Sequence, residues 1–403
     1  MPAIDGLADD GVLFENAFSN NLICTPACGC IQTGCHSHVH GATRNWVPLG
    51  DDQPTLGKCF PDAGYRTGYV GKWHLDGGTG YDSTIDFETT DPGFVPPARR
   101  RGYDFWRGFN CDHDHHSSHP QFRRDVEPYR LRDDEYQPTV QTDIAGEFVD
   151  RNREDRFFMF LSWGPPHPPF EAPAGDAERA DADADLPPNV SEGIADEVRE
   201  HRRQYDGMIA SLDDELDRLL QTLYENDPAD DTLAVFPSDH RPWRNAGGAR
   251  DDSRQKQSVR QGKHIPLIVG SPGDEGPIEV GRRDDTMVGL VDLMPTLLSA
   301  CDVPIPDLVQ GRDLTDHLYG EAIDAPDSVY LQSELAGDGW RAIRTPEYLS
   351  TVDRRLQPRE LFDATDDPYR QRNLLNKRPD LSAEPVGTAH RRADGFNDHQ
   401  ITS

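Results

Sequence analysis

An α/β fold with a mainly parallel, mixed central sheet sandwiched by helices is predicted by three features of this 403-residue chain. Short apolar runs recur at residues 67–70, 158–163, 232–236 and 265–269, each the length of a strand buried on both faces. Helical periodicity separates them, most clearly over 198–223, where Tyr205, Met208, Ile209, Leu212, Leu216, Leu219 and Leu220 recur at three- and four-residue spacing. After Gly320 the pattern shifts to "VYLQSEL", "WRAIRTPEYLSTV" and "RELFD", short alternating strands that predict a small antiparallel sheet.

In chain order, 67–70 is the first buried strand and 144–150 the first helix after it. Strand 158–163 precedes the long helix 198–223; strands 232–236 and 265–269 follow, then a helix over 288–300. The polar stretches 96–125 and 173–189 read as surface loops, and "AGDAERADADAD" within the second as solvated coil. Residues 1–320 form one α/β domain, and 321–403 form a small C-terminal subdomain with a frayed tail.

The formal net charge is −31, from 72 acidic and 41 basic residues, and only five of the basic residues are lysines. Acid-rich, lysine-poor surfaces suit concentrated salt, where screening shortens to about 3 Å. A salty cytosol is therefore the expected setting, with an ordinary acidic protein as the alternative. Such a field repels nucleic acid and anionic membranes. No apolar run approaches the roughly 20 residues of a membrane span. The N-terminus "MPAIDGLADDGV" lacks the basic and apolar regions of a secretion signal, so a cytoplasmic location is expected. Seven cysteines is an odd count, and a disulfide framework is not expected. Nothing in the sequence speaks to oligomeric state.

The stretch "NNLICTPACGCIQTGCHSHVHG" (20–41) holds four of the seven cysteines and three of the fifteen histidines. Its spacing, C-x3-C-x-C-x4-C-H-x-H-x-H, lacks the C-x2-C knuckle of structural zinc sites. Cys24-Thr25-Pro26 has the grammar of a helix start, with Thr25 as cap and Pro26 at the first helical position. A thiol at such a helix N-terminus has its pKa lowered by the free amides and the dipole.

"ICTPACGCIQTG" resembles the signature of the sulfatase family, C/S-x-P-x-R followed by a helix ending in T-G. Five further stretches resemble family segments in the right order. "AIDGLADDGVLFENAF" is similar to the helix and strand before the signature. "AGYRTGYVGKWHL" is similar to the strand end whose lysine and histidine, here Lys72 and His74, contact the sulfate ester. "FFMFLSWGPPHPPF" is similar to the segment with a substrate-side histidine, here His167. "TLAVFPSDH" is similar to the strand that delivers two metal ligands, here Asp239 and His240. "VDLMPTLLSACDVPIPDLVQGRDL" is similar to the late helix and turn.

The resemblance implies a sulfate monoester hydrolase of the alkaline-phosphatase-like superfamily, acting on a small-molecule or saccharide ester. It also implies a formylglycine made from Cys24, which doubles as a metal-site residue, and a divalent metal, calcium in most members, with magnesium or manganese as alternatives. A family lysine that binds sulfate falls between the Asp239 segment and the next strand, and Lys256 is the candidate. The run "CDHDHHSSH" (111–119) reads as a substrate-cleft loop or a plain polar loop.

Three departures stand beside the resemblance. The family's first apolar strand, ending in two acidic metal ligands, has no counterpart in the sequence, and its neighbours are expected to carry unpaired backbone groups. Cys28 stands where the family has the arginine that serves maturation, which weighs against oxidation of Cys24. Arg241 stands where the family keeps a glycine. The alternative readings are an impaired homologue that binds anions at most, or a phosphate or phosphonate monoesterase.

Overall fold

The computed structural model describes the chain except residues 78–92, 112–114, 117–119, 125–126, 134, 181–185, 187–192, 194, 227–228, 241–263, 274–277, 279–280, 322–325, 335–338, 369, 371 and 379–403. Lys256 and Arg241 therefore lie outside the described residues, as does most of the 111–119 run.

The chain opens with helix α1 (Pro2–Asp9) and strand β1 (Gly11–Phe18). Proline near the start of α1 sacrifices no needed donor. The Ile4 amide instead donates to the Asp213 carboxylate on helix α6 (Ala195–Glu225), which ties α1 to the long helix. Helix α2 (Cys24–Thr33) follows β1 and ends at Gly34, whose φ of 63° lies in the left-handed region that glycine adopts at low cost. A Cβ there would also sit 2.8 Å from Val309.

Two short helices, α3 (Ser37–His40) and α4 (Leu56–Asp62), come next, and two sheets form the α/β domain. In the first, β2 (Arg66–Lys72) is flanked by β3 (Phe105–Phe109) and β6 (Phe157–Ser162), both parallel to it. The second has the order β7 (Ala234–Pro237), β8 (Leu267–Gly270), β1, β9 (Arg282–Gly289), with β8 antiparallel to both neighbours and β9 parallel to β1. Helix α5 (Gln137–Asn152) packs on the first sheet and α6 on the second, while a hairpin of β4 (Pro120–Arg124) and β5 (Glu127–Arg130) lies beyond β3.

The expected alternation holds, with two departures. The stretch 96–125, read as a surface loop, contains β3, whose Trp106, Gly108 and Phe109 are buried beside β2; its polar flanks hid this short strand. The apolar run predicted as helix over 288–300 begins as the end of β9, and helix α7 is confined to Leu293–Ala300. A continuous apolar run carries no period to separate strand from helix, so only Gly289 marked the break.

Strands β6 and β7 were predicted as fully buried, yet every residue in both is half-exposed. The reason lies in pairing. Among the described residues β6 bonds only to β2 and β7 only to β8, and both strands line one apolar cavity of about 1640 Å³. Its walls also take in Leu212, Leu216 and Leu220 of α6, with Leu293 and Leu297 of α7. Among the described residues each strand thus turns one edge to the cavity. The cavity is larger than the roughly 300–1,000 Å³ of an ordinary ligand pocket.

The four C-terminal strands appear as predicted. β10 (Val329–Ser333), β11 (Trp340–Arg344), β12 (Tyr348–Asp353) and β13 (Pro358–Asp363) form an antiparallel meander. Its apolar face, with Leu331, Trp340, Leu349 and Phe362, buries Phe18, Leu22 and Met287 at the ends of β1 and β9. Asn20 stitches the junction: its amide donates to the Tyr330 carbonyl and its oxygen accepts from the Val291 amide.

Candidate active site

The C-terminal ends of β2, β6 and β7 and the N-terminus of α2 meet at one end of the cavity. Cys24 is the first residue of α2 rather than the residue before it, and Ile23 is the extended N-cap. Thr25 does not cap the helix. Its hydroxyl donates to the His74 carbonyl, while its amide is satisfied by the side chain of Asn45. The predicted cap therefore became a tether between the two chain segments of the cleft.

Lys72 closes β2, and its Nζ lies 3.8 Å from Cys24 Sγ. The glycine before it allows the approach to β6: Gly71 has φ 104°, and a Cβ there would sit 2.0 Å from the Ser162 carbonyl oxygen. Two residues on, His74 takes a left-handed φ of 54°, a conformation costing about 1 kcal/mol or more for a non-glycine residue. It is held there by the Thr25 hydroxyl on its carbonyl and by its own amide, which donates to the Asn110 carbonyl.

His167 sits in the "GPPHPP" turn after β6. Its Nδ1 donates to the Pro168 carbonyl, which fixes the proton on that nitrogen and leaves Nε2 for the cleft. Beneath the turn, His115 Nε2 donates to the His167 carbonyl. After β7, the His240 amide donates to the Asp239 carboxylate in a tight local turn. His240 Nε2 then lies 3.1 Å from Cys24 Sγ and 3.3 Å from the second Asp239 oxygen.

Burial alone would push the Cys24 thiol up. Lys72, His240 and a hydrogen bond from His167 overrule it and hold the thiol well below its usual range. Burial would likewise discharge Lys72, but Cys24, Cys111 and Asp239 raise its pKa and keep it cationic. His240, despite burial, is pushed up to about 9 by Asp239 and Cys24. His74 moves the other way, because its burial dominates. His115 is lowered to about 4 by burial, so it supports the His167 turn as a neutral ring. The result is a thiol drawn toward its anionic form by Lys72 and His240, which are themselves drawn toward their charged forms. Such a site draws in an anionic ester and stabilises charge that grows on its oxygens.

The structure thus gathers Cys24, Lys72, His74, His167, Asp239 and His240 around one point. Cys28, one turn along α2, packs against the aromatic cluster of Tyr69, Trp73 and Trp106, and its thiol is held neutral by burial, Asp239 and Cys24. The positive charge beside the nucleophile comes from Lys72. The histidines of the opening stretch serve packing: His40 Nε2 donates to the Pro26 carbonyl, and burial takes the ring down to about 4. Asn45 was missed in the sequence, since it falls in no motif or periodic segment; His115 belongs to the 111–119 run, which was read only as a substrate-cleft or plain polar loop, with no role for this ring.

Among the described residues one group of three could hold a metal, formed by Cys24 Sγ, an Asp239 oxygen and a His240 ring nitrogen, all within 4.8 Å of one another. Calcium takes roughly six to eight oxygen donors. One carboxylate, one imidazole and one thiol do not fit it.

These residues and this fold define a sulfatase. The sulfatase family profile matches residues 1–303, and the chain belongs to that family; it is a sulfuric ester hydrolase of the alkaline-phosphatase-like superfamily. It is similar to the ulvan-active sulfatase of Formosa agariphila, 28% identical over 394 residues, which cover 93% of this chain and 72% of that protein. The endo-4-O-sulfatase of Bacteroides thetaiotaomicron is 27% identical over 420 residues, covering 93% of this chain and 80% of the relative. The solved sulfatase yidJ from Bacteroides fragilis superposes with a TM-score of 0.84 at 26% identity, over 98% of this chain and 90% of that one.

Proposed function

We propose that this chain hydrolyses sulfate monoesters on saccharides with Cys24, converted to formylglycine, as nucleophile. The observation that carries this is the position of Cys24: the first residue of a helix, 3.8 Å from Lys72 and 3.1 Å from His240. The hydrated aldehyde carries two geminal hydroxyls. One attacks sulfur and the S–O bond to the alcohol breaks. The other hydroxyl then loses its proton and collapses to the carbonyl, expelling sulfate; water restores the hydrate.

Lys72 stabilises the charge on the sulfuryl oxygens. His167, with Nδ1–H held by the Pro168 carbonyl, acts through Nε2: in its doubly protonated form it gives the Nε2 proton to the leaving alcohol. His74 shapes the oxygen pocket, and Lys256 is the further sulfate-binding candidate. The family's divalent ion would be held by Asp239, His240 and the residue at position 24. Diol oxygens at that position suit a hard ion such as calcium, magnesium or manganese, and a thiol does not. The saccharide assignment rests on the names of the relatives, an ulvan-active sulfatase and an endo-4-O-sulfatase.

The test is turnover by purified protein from a host with formylglycine-forming activity, comparing 4-nitrophenyl sulfate with 4-nitrophenyl phosphate. Sulfate is expected to be the better substrate, by about tenfold or more in kcat/KM. A preference for phosphate would replace this reading with that of a phosphate monoesterase.

A further inference from the structure

The mismatch between these donors and calcium has a consequence of its own. A tetrahedral zinc ion with bonds of about 2.0–2.3 Å to oxygen, nitrogen and sulfur needs donors about 3.3–3.6 Å apart. His240 Nε2 lies 3.3 Å from an Asp239 oxygen and 3.1 Å from Cys24 Sγ, and all three donors fall within 4.8 Å. The two edges that meet at His240 are already close to those of that tetrahedron, and the third, between Cys24 and Asp239, lies within 4.8 Å and has only to close on ligation. Its chemistry agrees: a thiol, an imidazole and a single carboxylate form a borderline-soft set.

The three donors stand on rigid supports. Cys24 is anchored in the first turn of α2, and Asp239 and His240 follow the end of β7 in a turn closed by their own hydrogen bond. The fourth position faces the cavity, where water or an anionic ligand completes the shell.

We propose that, as long as Cys24 remains a thiol, this cleft is a zinc site formed by Cys24, Asp239 and His240. Replacement of the sulfur by aldehyde-hydrate oxygens removes the soft donor, so the state of residue 24 selects the metal. The proposal uses the cleft of the hydrolase reading but not its chemistry, and the two fail separately.

One neighbour sets a distinctive signature. The Lys72 ammonium, 3.8 Å from the sulfur, opposes a dication at the same point. Lys72→Met is therefore expected to tighten zinc binding, although the same change removes a group needed for hydrolysis. A site that merely depended on an intact cleft would weaken.

The experiment uses the full chain from a host lacking formylglycine-forming activity, reduced and freed of metal. Cobalt(II) is added as a spectroscopic probe, and zinc is titrated against a chromophoric chelator. One equivalent of cobalt is expected to give a thiolate-to-metal charge-transfer band in the near ultraviolet, which zinc abolishes. Zinc should bind at least a thousandfold more tightly than calcium. Cys24→Ser should lose the band and about a hundredfold or more in zinc affinity, with circular dichroism unchanged. Cys28→Ser should keep both, and Lys72→Met should gain about tenfold. Absence of the band, zinc binding that survives Cys24→Ser, or a preference for calcium would each overturn the proposal. Aryl-sulfate turnover by the matured protein would stand in any of those cases.

Discussion

Cys24→Ala is expected to lower 4-nitrophenyl sulfate turnover by about four to six orders of magnitude, to the residue left by binding and charge stabilisation alone. The size follows from the site's division of labour. The surrounding groups prepare a nucleophile, and each can act only through residue 24. His240 contacts the sulfur, Lys72 is within 3.8 Å of it, and His167 hydrogen-bonds it. With a methyl group there, the cations still attract the ester, so KM should change far less than kcat. Folding should survive, because alanine is a good helix former and the position opens a helix in a cavity wall. A variant that keeps more than about a hundredth of the activity would show that another group attacks sulfur.

Lys72→Met is the second large effect, a fall of about a hundred- to a thousandfold in kcat/KM. At 3.8 Å, an attraction of about 4 kcal/mol at an effective dielectric constant of 20 links the ammonium to an anionic centre. That attraction offsets the several kcal/mol needed to bury a lysine, and Lys72 is only 8% exposed. When Cys24 is converted to an uncharged hydrate, the charge on Lys72 is left to the sulfuryl oxygens. Methionine keeps the length and apolar stem of the side chain, so packing against its neighbours changes little. Loss confined to KM would instead assign Lys72 to substrate binding alone. An unchanged kcat/KM would remove it from the chemistry.

Much of the site was legible because its residues sit in short, locally determined pieces. Lys72 and His74 follow an apolar strand, Asp239 and His240 follow another, and His167 is framed by prolines; each pattern fixes a strand end or a turn without reference to the rest of the chain. The β2 and β6 strands and the C-terminal meander followed from strand length and alternation for the same reason, whereas β3 was hidden in a polar stretch read as a surface loop. What escaped depends on contacts distant in sequence. Thr25 has the identity of a helix cap, yet its hydroxyl goes to the His74 carbonyl, 49 positions away. His115 supports His167 across 52 positions. Asn45 replaces the expected cap on the Thr25 amide. The burial of β6 and β7 was overestimated since apolar composition reports what a strand can bury, while the cavity between their edges is a property of the assembled sheets. The fit of the metal donors also had to wait for distances, because the sequence offers seven cysteines and fifteen histidines, and among the described residues one of each joins Asp239 in a metal-sized group.

The central claim is that Cys24 is the maturing nucleophile of the cleft, and intact mass of its peptide tests this most directly. Protein from a host with formylglycine-forming activity is separated by digestion, and the peptide bearing residue 24 is weighed alongside turnover. The prediction is a peptide lightened by the change from CH2SH to CHO, in a fraction that rises and falls with the activity of each preparation. An active preparation in which that peptide carries only the unaltered thiol would contradict the account.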